Sequence, residues 1–83
     1  MTTTRYFDEQ VMRKRPYLTV ELCRGVLASP LKSEVQADGR VRHWGPVSLP
    51  GEPETRILRV VTLEDGETIH NAFLDRGYRE DER

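Results

Sequence analysis

The chain has 83 residues, 36% of them hydrophobic and 33% charged, with 13 basic and 14 acidic side chains and a formal net charge of −1. This length suits one domain with a thin stability margin, and the balanced charge excludes nucleic-acid capture by bulk electrostatics alone. A lone cysteine, Cys23, excludes an intrachain disulfide; no apolar run is long enough to span a bilayer; and no apolar core follows the first residues, so no signal peptide is expected and the default is a small, soluble, cytoplasmic protein.

Residues 1–4 are expected to fray. Thr4 can cap a first helix, and Asp8 and Glu9 fall where they favour its dipole. Phe7, Val11 and Met12 form a narrow apolar stripe, and Pro16 ends the helix after about three turns. Thr19 caps a second helix. Its stripe is Leu22, Cys23, Val26 and Leu27, and Ser29-Pro30 stops it. The period then changes. Residues 33–44 read as a polar hairpin turning at Asp38-Gly39, placed in an outer part of the sheet. Residues 45–54, with Pro46, Pro50 and Pro53, read as a stiff irregular loop.

Residues 55–73 form the stretch around which the chain is organised. A β-branched run from Thr55 to Leu63 meets Asp65-Gly66, a dipeptide that tolerates positive φ, and continues through Ile69 to Phe73. This is a long hairpin, read as the central strand pair. It carries Arg56, Arg59, His70 and Asn71, polar groups that a structural hairpin does not need. Residues 80–83 form an acidic end expected to be mobile. The expected fold over residues 1–83 is a single two-layer α+β domain. Two N-terminal helices pack on an antiparallel four-stranded meander.

The histidines are the candidate chemistry. In a meander His43 lies on the second strand and His70 on the fourth, ~10 Å apart if they share a face. Arg56 or Arg59 would project between them. One imidazole would take the proton of a ribose 2′-hydroxyl and the other would protonate the leaving oxygen, with arginine stabilising the charge on phosphorus. Register decides this. A two-residue loop sets Val61 opposite His70; a three-residue loop with a bulge sets it opposite Ile69 and turns His70 to the other face. The alternative is that each histidine bonds locally within a strand.

Arg13, Lys14 and Arg15 end the first helix, either as dipole partners or as a phosphate-contacting patch. Trp44 beside Arg42 either stacks a base or packs on the sheet. Tyr78, after Arg76, supplies a phenol to a site or anchors the end of the chain. Cys23 is expected to be a buried thiol. No cluster has metal-ligand spacing and no Gly-rich phosphate loop is present, so no cofactor is expected.

The pieces Tyr6-Phe7, Arg13-Lys14-Arg15-Pro16-Tyr17, Val26-Leu27-Ala28-Ser29-Pro30, Asp38-Gly39-Arg40-Val41-Arg42-His43-Trp44-Gly45, Leu58-Arg59-Val60-Val61-Thr62 and Glu64-Asp65-Gly66-Glu67-Thr68-Ile69-His70-Asn71-Ala72-Phe73 resemble a group of small bacterial domains of unknown function. The likeness covers most of residues 6–78. More distantly, the order of elements resembles the RelE-like toxin fold, which includes BrnT-type ribonuclease toxins. That resemblance implies a metal-independent endoribonuclease of a toxin–antitoxin pair, with RNA and an antitoxin protein as partners. It places the site on the exposed sheet face and the C-terminal segment, with His43, Arg56, Arg59, His70, Arg76 and Tyr78 as the matching polar positions. Such toxins are usually strongly basic, and this chain is not. Two other readings compete: a non-catalytic interaction module, and a gyrase-targeting toxin of the ParE type. A homodimer through an exposed sheet edge is compatible with all three, and no membrane partner is expected.

Overall fold

A computed structural model describes residues 3–78. The acidic end at residues 80–83 lies outside them. The fold is α+β, with two helical segments on one face of a four-stranded antiparallel sheet of order β1-β2-β3-β4.

Residues 5–14 are helical. A π-turn at Phe7–Val11 runs into the α-turn α1, Met12–Lys14. Thr4 caps this segment, its Oγ1 accepting from Phe7 N–H at 3.1 Å. The wide turn keeps Phe7 and Val11 almost in line, and both are buried. Helix α2, Val20–Ala28, begins at Thr19, whose hydroxyl accepts from Leu22 N–H at 3.1 Å. Cys23 and Val26 are its buried residues.

The strands are β1 (Lys32–Val35), β2 (Val41–Val47), β3 (Arg56–Thr62) and β4 (Ile69–Leu74). The core joins Phe7, Val11, Leu18, Cys23 and Val26 to Val47, Leu58, Val60, Ile69 and Ala72 from one sheet face. Gly45 lets α2 lie close to that face: a Cβ there would sit 3.1 Å from Val26 Cγ1.

Four expectations need correction. The central pair is β2–β3; β4, expected in the centre, is an edge strand. Strand β2, expected among the outer strands, is internal and buries His43, Trp44 and Gly45. It also runs on to Val47, through the proline expected to open a loop. Pro46 is tolerated because hydrogen-bonded pairs alternate along a ladder. Gln36 N–H bonds Arg40 C=O at 2.6 Å, so even-numbered β2 residues turn their backbone groups toward β1. At Pro46 there is no β1 partner left to bond.

The β3–β4 register matches neither expected loop. Leu63 N–H bonds Thr68 C=O at 2.9 Å, closing a longer turn. Gly66 takes φ +71 there, and Asp65 Oδ1 accepts from the N–H groups of Glu67 and Thr68 at 2.8 and 2.9 Å. Val61 then faces Asn71 and Thr62 faces Ile69, which leaves His70 as the extra residue of a β-bulge.

The two sheet edges differ. Thr3 bridges Ile69, and Thr4 N–H bonds Ile69 C=O at 2.9 Å, so the start of β4 is covered. Every residue of β1 is exposed.

Candidate functional site

Side-chain alternation sorts the candidate residues between two faces. Pairing sets Trp44 opposite Arg59, Arg59 opposite Phe73, and Val61 opposite Asn71. Lys32 and Glu34 lie opposite Trp44 and Arg42. These residues share the outer face, which no helix covers. His43 lies opposite Val60 and faces the helices.

The outer face is built around Arg59. Its guanidinium carbon lies 4.5 Å from the Phe73 ring centroid and 5.6 Å from that of Trp44. Asp75 fixes the arrangement. Its Oδ2 accepts from Trp44 Nε1 at 2.8 Å and pairs with Arg59 at 3.2 Å. The Trp44 bond is the main reason that the Asp75 carboxyl ionises below its usual range, aided by Gly77 N–H and the Arg59 charge. Tyr78 stacks on Trp44 with centroids 5.9 Å apart, and Lys32 lies 5.4 Å from the Trp44 ring. Arg15 reaches Phe73 from the sheet edge at 6.0 Å. Arg42 pairs with Glu34 at 3.3 Å.

The two histidines lie elsewhere. His43 is only 8% exposed. Its Nδ1 meets Ser33 Oγ and its Nε2 meets Thr62 Oγ1, both at 3.1 Å. Burial lowers its pKa. His70, in the bulge, bonds Thr4 Oγ1 at 3.0 Å and stacks on Tyr6 at 4.9 Å. Burial and the Arg40 charge lower its pKa, against a smaller opposing effect of Asp38. Arg59 is on the opposite face from His43, so these two do not form part of one constellation. Arg56 starts β3 and lies four residues from Val60, about 13 Å along the strand from the position facing His43. Neither arginine therefore projects beside His43 in the row expected across the middle strand.

Arg56 and Arg76 instead line an open cleft of about 600 Å³ with Tyr17, Thr19, Leu49 and Leu74. Glu52 pairs with Arg56 there at 3.1 Å. Arg13 and Lys14 are exposed on the helical segment. Lys32, Phe73 and Asp75 are site residues that sequence reasoning missed. The first two follow from register alone, as the residues opposite Trp44 and Arg59.

Among the described residues, no group of three or more His, Cys, Asp or Glu is placed to hold a metal ion, and no helix is long and apolar enough to cross a membrane. No protein-family model, curated protein or solved structure matches this chain. The site's chemistry therefore rests on its own geometry. It offers a flat, preorganised surface of aromatic rings and cations. Of the groups that could shuttle a proton, His43 lies on the other side of the sheet and His70 sits in the β4 bulge against Thr4 and Tyr6.

Proposed function

We propose that this chain is a non-catalytic interaction module that receives a partner polypeptide on the outer face of its sheet. The observation that carries this reading is the Trp44–Arg59–Phe73 stack locked by Asp75. Aromatic residues and arginine dominate the binding energy of protein interfaces, and side chains held before binding lose little entropy on association. Lys32 and Arg15 at the rim favour an acidic partner segment.

A second reading is a toxin-like endoribonuclease of the RelE type, neutralised by an antitoxin. It draws on the same face, which carries Arg42 and Arg59 with Tyr78 stacked on Trp44, and where the resemblance expects the site. It needs a proton shuttle other than the histidine pair.

Controlled expression in bacteria separates the two. A photo-crosslinking residue at Asn71, on the outer face, and one at Arg24, exposed on α2, are compared while growth and RNA integrity are followed. The module reading expects normal growth, intact RNA and one protein adduct from position 71 alone, abolished by Arg59→Glu. Growth arrest with RNA fragmentation would overturn it in favour of the ribonuclease. Arrest with a DNA-damage response and intact RNA would favour a gyrase-targeting toxin.

A further inference from the structure

Strand β1 is an open sheet edge, and its residues specify their own partner. Gln36 and Glu34 use their backbone groups toward β2, as the Gln36–Arg40 bond and the Glu34–Arg42 pairing require. Alternation then turns the N–H and C=O of Ser33 and Val35 away from the sheet. Two large apolar residues flank them in the open: Leu31 is 40% exposed and Val35 69%. On the outer face, Lys32 and Glu34 carry opposite charges two residues apart.

We propose that β1 pairs antiparallel with β1 of a second copy, on a two-fold axis at Ser33, to make one continuous eight-stranded sheet. The register follows from elimination. Outward-facing backbone groups must meet outward-facing ones, so an odd residue must face an odd residue. Centring the pair on Lys32 or Glu34 sets like charges face to face. Centring it on Val35 leaves Lys32 and Leu31 beyond the pairing. Centring it on Ser33 satisfies every side-chain position; the Leu31 N–H stays with Trp44 C=O at 2.7 Å, so the Ser33 groups and the Val35 N–H supply the new backbone bonds. The two Ser33 residues exchange backbone hydrogen bonds. Lys32 meets the partner's Glu34, and Glu34 meets the partner's Lys32, on the outer face. Leu31 meets the partner's Val35 on the other face, and the reverse. Directly opposed side chains lie about 5 Å apart, within reach for both kinds of pair. The edge is short, so the dimer is weak and concentration-dependent. This inference stands apart from the module reading, since it concerns the edge and not the outer-face stack.

Sedimentation velocity over a series from micromolar to sub-millimolar chain tests it. The intact chain is expected to pass from monomer to dimer. Glu34→Lys and Lys32→Glu, each at an exposed position, are expected to weaken self-association about tenfold or more. Mixing these two variants restores dimers, because one chain then presents lysine at both positions and the other presents glutamate at both, so every facing pair is complementary. Val35→Pro removes an outward N–H that β2 does not use and abolishes the dimer while the circular dichroism spectrum is kept. An intact chain that stays monomeric overturns the proposal and leaves the β1 edge to a foreign strand. A dimer indifferent to Glu34→Lys and Val35→Pro also overturns it, by placing the interface elsewhere. Loss of the outer-face crosslink with dimerisation unchanged would sink the module reading alone.

Discussion

Asp75 Oδ2 accepts the indole N–H of Trp44 at 2.8 Å and holds the Arg59 guanidinium at 3.2 Å from the same oxygen. One carboxylate thus fixes both halves of the outer-face stack. Asp75→Ala leaves a buried indole N–H and a half-buried cation without their acceptor. The expected loss is about 2–3 kcal/mol of unfolding free energy in urea titrations, against roughly 1 kcal/mol for Asp75→Asn, which keeps an acceptor. Equal losses in the two variants would show that the hydrogen bond to Trp44 contributes nothing.

Stability should fall in mild acid. Burial depresses the pKa of folded His43, whereas the unfolded side chain titrates near about 6.5. As pH falls through that value, the unfolded chain binds a proton that the folded chain refuses. Its share of stability is therefore complete above that pH and declines until the lower folded pKa is passed. His70 shifts in the same direction, so it adds to the slope. His43→Leu should make the decline between neutral and acid pH shallower, without removing it. It should also cost about 1–3 kcal/mol at neutral pH, because the buried Thr62 hydroxyl loses its partner. An unchanged slope in thermal melts across this range would refute the assignment.

Gly45 and Val26 should be coupled. Gly45→Ala brings a methyl within 3.1 Å of Val26 Cγ1 and 3.3 Å of Val26 Cα. Pushing α2 away should cost about 1–3 kcal/mol. Val26→Ala alone should cost about 2 kcal/mol by opening a cavity. The double variant should lose clearly less than the sum, because each change accommodates the other. Strict additivity in a denaturation cycle would mean that the helix moves freely.

Cys23 should be chemically silent in the folded protein. Its thiol is buried on α2, and burial pushes its pKa up to about 11. Labelling by a thiol reagent at mildly alkaline pH should proceed at the rate of chain opening and become immediate in guanidinium. Fast labelling under native conditions would contradict this packing.

The helices were legible because their signals are local. Thr4 and Thr19 cap where hydroxyls precede apolar stripes, and Pro16 and Pro30 follow the stops. The turn glycines Gly39 and Gly66 were equally plain, and both take positive φ. The sheet's side-chain register was not legible, because it depends on how many residues a turn consumes. Asp65 bonds two N–H groups and lengthens the turn, and the bulge at His70 then absorbs one residue. That shift takes His70 out of register with β3, while His43 parts from Arg59 separately, through the β2–β3 pairing that sets it opposite Val60. Arg59 could be recognised from sequence as surplus to a structural hairpin. Its companions Phe73 and Asp75 lie 14 and 16 positions further along and carry no signal until the pairing is known.

Because Thr3 and Thr4 lie along the beginning of β4 and a bulge distorts the strand just beyond, the molecule has one sheet edge fit for joining and one that refuses it. A chain with two good edges would string into fibres. Here addition of a second copy consumes the receptive edge on each, so growth stops at two.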